Sequence, residues 1–474
     1  MSSHEGNWGD LLSGKNAACS VVLSGGVALH AINIYIATTV LPSVVQEIGG
    51  LNLYAWNTTL FVIASILGSA LTSPTLSRTG ARGTYAVAIL FFLCGSLLCA
   101  LAPGMPVMLL GRAVQGLGGG FLFALGYCMI NEVFEQRLWP RAFALISGMW
   151  GVATLVGPAI GGIFADMHAW RLAFGFIVPV TLVYAWLVLR TLPAGRGNRA
   201  AAAPLPLAQL LLLTAAVLAI GLGSTDPRLS VNLASVALAA ILLLLLVRRE
   251  RNGKYRMLPR NALRRGSPLL PLYLTIGLLV VGMTSETFVP YFLQLLHGQS
   301  PLLSGYLAAL MAAGWTLAEI WSSGWQGKRI RLAIVAGPLL VLAGMVALTL
   351  ALPVNGNGAL GLLLVISLAL LLVGFGIGLG WPHLLTRVLQ VTPEEEQDAA
   401  ATSITTVQLV ATALGAALAG MLANQGGLNA PGGIAGAQSA AYVLFGVLAL
   451  APLLAVFSAG RSAKGLQNTG ATEK

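Results

Sequence analysis

Charge is what this sequence lacks most. Only 9% of its 474 residues are Asp, Glu, Lys or Arg, against about 25% in a typical soluble domain. A deficit of that size argues against a water-soluble globular fold. Cysteine is scarce as well, with four in the chain. Cys94, Cys99 and Cys128 fall inside apolar runs and Cys19 opens one, so they are read as packing residues and not as a disulfide framework. The five histidines are scattered, and no metal or cofactor is expected. A nucleotide-binding motif is also missing. The run Gly116 to Gly120 lies within an apolar stretch with no strand before it, so it is not a phosphate loop.

Apolar residues, at 57%, are what the chain has in abundance. They fall into runs long enough to cross a bilayer, which takes about 20 residues as a helix. Lipid offers no hydrogen-bond partners to the backbone, so each crossing segment must be helical. Fourteen spans are expected, near 20–44, 55–76, 84–103, 107–130, 143–165, 172–191, 206–223, 231–247, 269–294, 303–325, 331–352, 359–384, 401–423 and 437–459. The first run is too long for a signal core and is read as a span. The 57 glycines suit helices that pack closely in a membrane.

The net charge of +11 resides in the links between these runs, which argues for topology signals and against nucleic acid as a partner. Basic links alternate with links nearly free of Lys and Arg. The basic ones carry Arg78 and Arg82; Arg137 and Arg141; Arg190, Arg196 and Arg199; eight Lys and Arg residues between 248 and 265; and Lys328, Arg329 and Arg331. Arg171 and Arg228 are the exceptions. The positive-inside rule then places the basic links and both termini in the cytoplasm. The expected organisation is a cytoplasmic amino terminus (1–19), a six-helix half (20–191), a linker with two extra spans and a basic link (192–268), a second six-helix half (269–459) and a cytoplasmic tail (460–474). The two extra spans are plain Leu/Ala/Val runs without a central ionisable residue, and are expected to face lipid.

Several motifs carry a resemblance. The stretch GRAVQGLGGG, Gly111 to Gly120, resembles the fourth-helix motif of the major facilitator superfamily. Val156 to Gly162 reads VGPAIGG and is similar to the antiporter motif of that family's drug exporters, with Gly157, Pro158, Gly161 and Gly162 in place. Ala169 to Pro179 resembles the Trp-Arg stretch that opens their sixth helix. Tyr291 to Leu310 is similar to a passage of the fourteen-span drug:proton antiporter branch. The resemblance implies an all-α integral membrane protein with two six-helix halves, inverted repeats within each half and substrate bound near the midplane. It gives Arg112 and Gly116 a conformational role, and likewise the loop residues Arg78, Gly80 and Arg82. Two departures stand out. Ser73 and Ser77 replace the Gly and Asp usual in the loop after span 2, so the cytoplasmic lock that this Asp supports is in doubt. Asn33, ahead of Leu41-Pro42, stands where the exporters carry an Asp, and an Asn cannot carry a proton.

Ionisable residues inside spans are costly and are functional candidates by default. Glu286 lies among apolar neighbours in a half whose spans hold no Lys or Arg, so it is expected to exchange a proton; the alternative is a protonated Glu hydrogen-bonded between helices for packing. Glu319 follows Trp315 by one helical turn, a pairing suited to a lipophilic cation; the alternative is an interfacial Glu reaching for water. Arg112 is a fixed positive charge, and bracing spans 1 and 4 is the structural alternative. His30 shares a face with Asn33 and could titrate, or could simply be a hydrogen-bonded structural histidine. Gln115, Tyr291 and Gln408 complete the polar residues expected near a substrate. The reading is a monomeric secondary transporter of the inner membrane, exporting small lipophilic or cationic compounds against protons. A proton-coupled importer or a lipid or metabolite exporter of the same fold remains open; a membrane-embedded transferase or a channel is less favoured.

Overall fold

The structure, a computed structural model, describes residues 8–193, 205–253, 256–260, 262–264, 266–356 and 358–464. Arg196, Arg199, Lys254, Arg265 and the tail beyond 464 lie outside the described residues. Among the described residues every regular element is helical.

Thirteen helices are long and apolar enough to cross a membrane. One of them, Leu51–Ala100, has 50 residues. At about 1.5 Å per residue it would measure more than twice the roughly 30 Å apolar thickness of a bilayer. It is two spans. The break is Gly80, with φ 72° and ψ 177°, a conformation open to glycine and strained for residues with a Cβ. Spans 2 and 3 therefore meet at Gly80, and fourteen spans result. The others are Gly14–Ile48, Met105–Cys128, Trp139–Asp166, Trp170–Thr191, Leu207–Ser224, Leu229–Asn252, Leu269–His297, Pro301–Ser322, Lys328–Ala351, Leu360–Gln390, Gln397–Gln425 and Gly433–Lys464.

Two of these are interrupted. Span 9 runs as an α-helix to Met283, tightens to a 3-10 turn over Thr284–Phe288 and resumes at Val289. Span 14 breaks at Ala449. Each break has a proline as its local cause. Pro290 and Pro452 have no N–H to offer the carbonyls of Glu286 and Leu448, four residues earlier, and their rings crowd those oxygens. The two broken spans pack on each other, with Gly282 facing Pro452 and Thr275 Oγ1 2.7 Å from Ser458 Oγ.

The chain forms two compact units, residues 1–50 with 60–205, and 51–59 with 206–474. In the first, the glycine run of span 4 lets backbones touch. A Cβ on Gly116 would overlap the Phe61 carbonyl, and one on Gly120 would overlap that of Ser65. The serines use the same approach: Ser65 Oγ donates to the Gly116 carbonyl and Ser69 Oγ to that of Gly120, each at 3.0 Å. Span 5 packs on span 1 through the antiporter motif. Gly157 lies against Tyr35, and a Cβ on Gly161 would sit 3.0 Å from the Ile36 carbonyl; Pro158 and Gly162 are buried beside them.

In the second unit Gly374 and Gly378 of span 12 lie against the carbonyls of Met311 and Trp315 in span 10. Span 7 departs from the lipid-facing expectation. One face of it, with Leu210, Leu213, Ala216, Val217 and Ile220, is buried, and Asn424 of span 13 donates to its Ser224 carbonyl at 3.0 Å. Span 8 does face outward, with Leu233, Ile241 and Leu244 at 61%, 54% and 68% exposure.

The two arginines outside the charge alternation are each paired with an acid. Arg171 is ion-paired with Glu47, which also accepts from Trp170 Nε1 at 2.6 Å. Arg228 bonds Asp226 through Nε and Nη2, at 3.0 and 2.7 Å, and holds that carboxyl down to about 2.

Candidate functional site

In the first unit the polar residues converge on Arg112, 2% exposed and two turns into span 4. Its Nη1 donates to Asn33 Oδ1 of span 1 at 2.5 Å and to Gln115 Oε1 at 2.6 Å. Gln115 Nε2 then donates to Ser96 Oγ of span 3 at 2.8 Å, and Ser96 donates to the Phe92 carbonyl at 2.7 Å. The guanidinium also lies 4.1 Å above the Phe61 ring of span 2. Four spans thus meet at one fixed charge. The two acceptors named here, Asn33 and Gln115, are neutral amides. Asn33 Nδ2 is buried with no partner, a spare donor in the middle of the cluster.

His30 lies in an aromatic setting. Its ring is 5.4 Å from those of Phe61 and Phe123 and 6.2 Å from Trp150. Nδ1 is buried without a partner, and a Cβ on Gly119 would come within 2.7 Å of it. The loop residues are separate from this cluster. Gly80 makes the turn, Arg78 is exposed and Arg82 half-buried, and Ser77 Oγ is engaged by the Pro74 carbonyl at 3.0 Å.

In the second unit Glu286 sits on the 3-10 turn of span 9, half-buried. Among the described residues its carboxyl has no hydrogen-bond or ion-pair partner. Its backbone oxygen accepts from Val289 instead of from position 290, so the turn is tightened where the carboxyl projects. Next to it in the chain lies an aromatic group. Tyr54 stacks on Phe288 at 4.9 Å and meets Tyr291 edge-on at 5.6 Å. Gln408 is half-buried on span 13.

Glu319 and Trp315 do meet, through the ring edge and not the ring face. Trp315 Nε1 donates to Glu319 Oε2 at 3.0 Å, and the ring packs edge-on against Trp381 at 4.5 Å. The arrangement is a polarised carboxylate on an aromatic shelf.

Sequence reasoning missed Ser96, Phe61, Phe288, Trp381 and the break in span 9. Only the last had a local signal, a proline four residues after an intramembrane glutamate. Phe288 lies on the same turn as Glu286, and Ser96, Phe61 and Trp381 are joined to their partners by packing between helices distant in sequence.

The family model described as Major Facilitator Superfamily matches residues 23–416. A "Probable multidrug-efflux transporter" of Mycobacterium tuberculosis is 38% identical over 464 residues, covering 96% of this chain and 97% of its own. A multidrug transporter protein of Bacillus subtilis is 24% identical over 71% of this chain and 64% of its own. Among solved structures, a peptide transporter in complex with alafosfalin aligns with a TM-score of 0.67 at 14% identity, covering 97% of each chain. A D-xylose-proton symporter aligns at 0.63 and 15%, covering 94% of this chain and 97% of its own. These structural likenesses concern the fold alone.

Proposed function

The chain belongs to the major facilitator superfamily, and from that premise we propose that this transporter exports small lipophilic or cationic compounds in exchange for protons, by alternating access. The functional halves are 20–191 and 269–459, with 192–268 as an insert. The chain works as a monomer in the inner membrane, with both termini in the cytoplasm. The efflux reading draws on the 38% identical relative, whose name describes multidrug efflux.

The observation that carries the coupling is the Glu286 carboxyl, without a partner on a broken turn of a span. A carboxylate within a membrane is costly without a donor or counter-charge. Taking up a proton removes that cost, and an arriving cation or water displaces the proton. Arg112 and its amide partners serve as the rigid, charged brace of the first unit. In the first unit Asn33 Nδ2 is a donor for substrate, and in the second unit Gln408 and the Trp315–Glu319 shelf are polar groups for it.

The test is paired. Proteoliposomes under an imposed pH gradient should lose gradient-driven flux in Glu286→Gln, while substrate binding to the solubilised protein is partly retained. Unchanged gradient-driven flux would move the proton site to Glu319 or His30. Expression in a pump-deficient bacterium should raise resistance to lipophilic cations. Net accumulation of substrate in energised cells would instead favour the second reading, a proton-coupled importer, which the replacement of Asp by Asn33 in span 1 keeps in view.

A further inference from the structure

The carboxyl-terminal end of span 8 holds a cavity that neither the transport cycle nor the motifs account for. It has a volume of about 230 Å³ and is walled by Arg251, Asn252, Arg256 and Arg264, with Leu258 and Leu263. Pockets for drug-sized ligands measure about 300–1,000 Å³, so this one suits a smaller group.

Its lining is net positive, with three arginines against one carboxylate. The carboxylate at the cavity, Glu250, is buried and already engaged. Glu250 Oε1 accepts from the backbone N–H groups of Met257 and Leu258 at 2.5 and 2.7 Å, and Oε2 accepts from Gln209 Nε2 at 3.4 Å. It folds the basic link back on the end of span 8 and leaves the arginines to themselves. Arg260 points elsewhere, to Glu396. Among the described residues Arg248, Arg249, Arg251, Arg256 and Arg264 have no carboxylate partner. Arg256 Nε donates to the Gly253 carbonyl at 3.0 Å, which holds the head of that side chain in place.

The apolar, exposed part of span 8 precedes this cavity along the helix. Leu238, Ile241, Leu244 and Leu245 are exposed along it, and the arginines begin at 248, where the apolar face ends. A ligand with an acidic phosphate head and apolar tails matches both parts at once, whereas a free anion would use only the head site. We infer that the cavity at the end of span 8 binds the phosphate headgroup of an anionic membrane lipid, whose acyl chains lie along the exposed face of that span. The extra pair of spans then serves as a lipid-reading attachment on the second unit. This is independent of the transported substrate and of the coupling ion.

The experiment uses the purified full-length protein in detergent. Phosphatidylglycerol, phosphatidylcholine and inorganic phosphate are added separately, and the melting temperature and the lipid adducts in native mass spectra are recorded. Phosphatidylglycerol should raise the melting temperature saturably and survive as an adduct, and phosphatidylcholine should do neither. The triple variant R251Q/R256Q/R264Q should bind phosphatidylglycerol on the order of a hundredfold more weakly. The triple Lys variant keeps the charge and should retain most of the binding, which separates lost affinity from a lost fold. Equal binding of phosphatidylglycerol to the Gln variant overturns the proposal. Inorganic phosphate that stabilises as well as the lipid and displaces it would make the cavity a soluble-anion site and overturn the lipid assignment.

Discussion

Pro290 stands four residues after Glu286, so the intramembrane carboxylate sits on the residue whose carbonyl the proline leaves without its helical donor. The tightened turn from Thr284 to Phe288 follows from this, and such mid-helix 3-10 turns often mark functional hinges. Pro290→Ala restores the donor and removes the ring clash, and a proline inside a helix costs about 3 kcal/mol. The variant should be at least as thermostable as the parent and transport more slowly. Thermal unfolding in detergent and initial-rate flux check this together; an unchanged rate would make the break incidental.

Arg112 and Asn33 make a second pair whose separation should be costly. Asn33→Leu removes one acceptor from a buried guanidinium, and a hydrogen bond to a charged group is worth about 1.5–3 kcal/mol. We expect less folded protein and no transport. Asn33→Asp supplies a counter-charge at the same position and should restore folding. Arg112→Lys should recover little, because an ammonium can offer donors to Asn33 and Gln115 but not the flat guanidinium face that lies 4.1 Å over Phe61. Size-exclusion yield and flux report on these separately.

Trp315 and Glu319 allow a test of substrate charge. Trp315→Phe keeps the ring but loses the N–H that holds the carboxylate at 3.0 Å. Glu319→Gln keeps an acceptor and loses the charge. Cationic substrates should bind tenfold or so more weakly in Glu319→Gln, as expected for a charge-assisted contact of about 1.5 kcal/mol, and neutral ones should change little. Trp315→Phe should weaken both classes modestly. Equal losses for cations and neutrals in Glu319→Gln would leave Glu319 a structural residue.

The link at 51–59 offers a stability test within the second unit. Asn424 Nδ2 donates to the carbonyls of Asn52 and Ser224 at 2.8 and 3.0 Å, and Gly221 of span 7 gives room to Trp56, whose Cζ2 would be 2.9 Å from a Cβ there. Gly221→Val should overpack this contact at a cost of about 1–3 kcal/mol. Asn424→Ala should cost about 1 kcal/mol through the orphaned carbonyls. The two act on one link, so the double variant should lose less than the sum of the singles. Full additivity in thermal midpoints would show that the contacts act independently.

The sequence by itself determined the number and order of the spans. Apolar length is a one-dimensional property, and a bilayer about 30 Å thick reads it directly. It also marked the glycine-rich motifs as places of close helix packing, and Arg112 as a fixed charge inside a span. Even the break in span 9 was written locally, in Pro290, although the run reads as continuous by hydropathy. What only the tertiary structure decided is which similar run does what. Spans 7 and 8 are both Leu/Ala/Val sequences, yet one face of span 7 packs inside the second unit while span 8 is turned outward. Lipid and protein interior are equally apolar, so composition cannot separate them. Trp315 likewise meets Glu319 through its N–H and not its ring face, because the packing of Trp381 against it orients the indole. Ser96 and Phe61 join Arg112 only once spans 2, 3 and 4 come together across glycines that let their backbones touch.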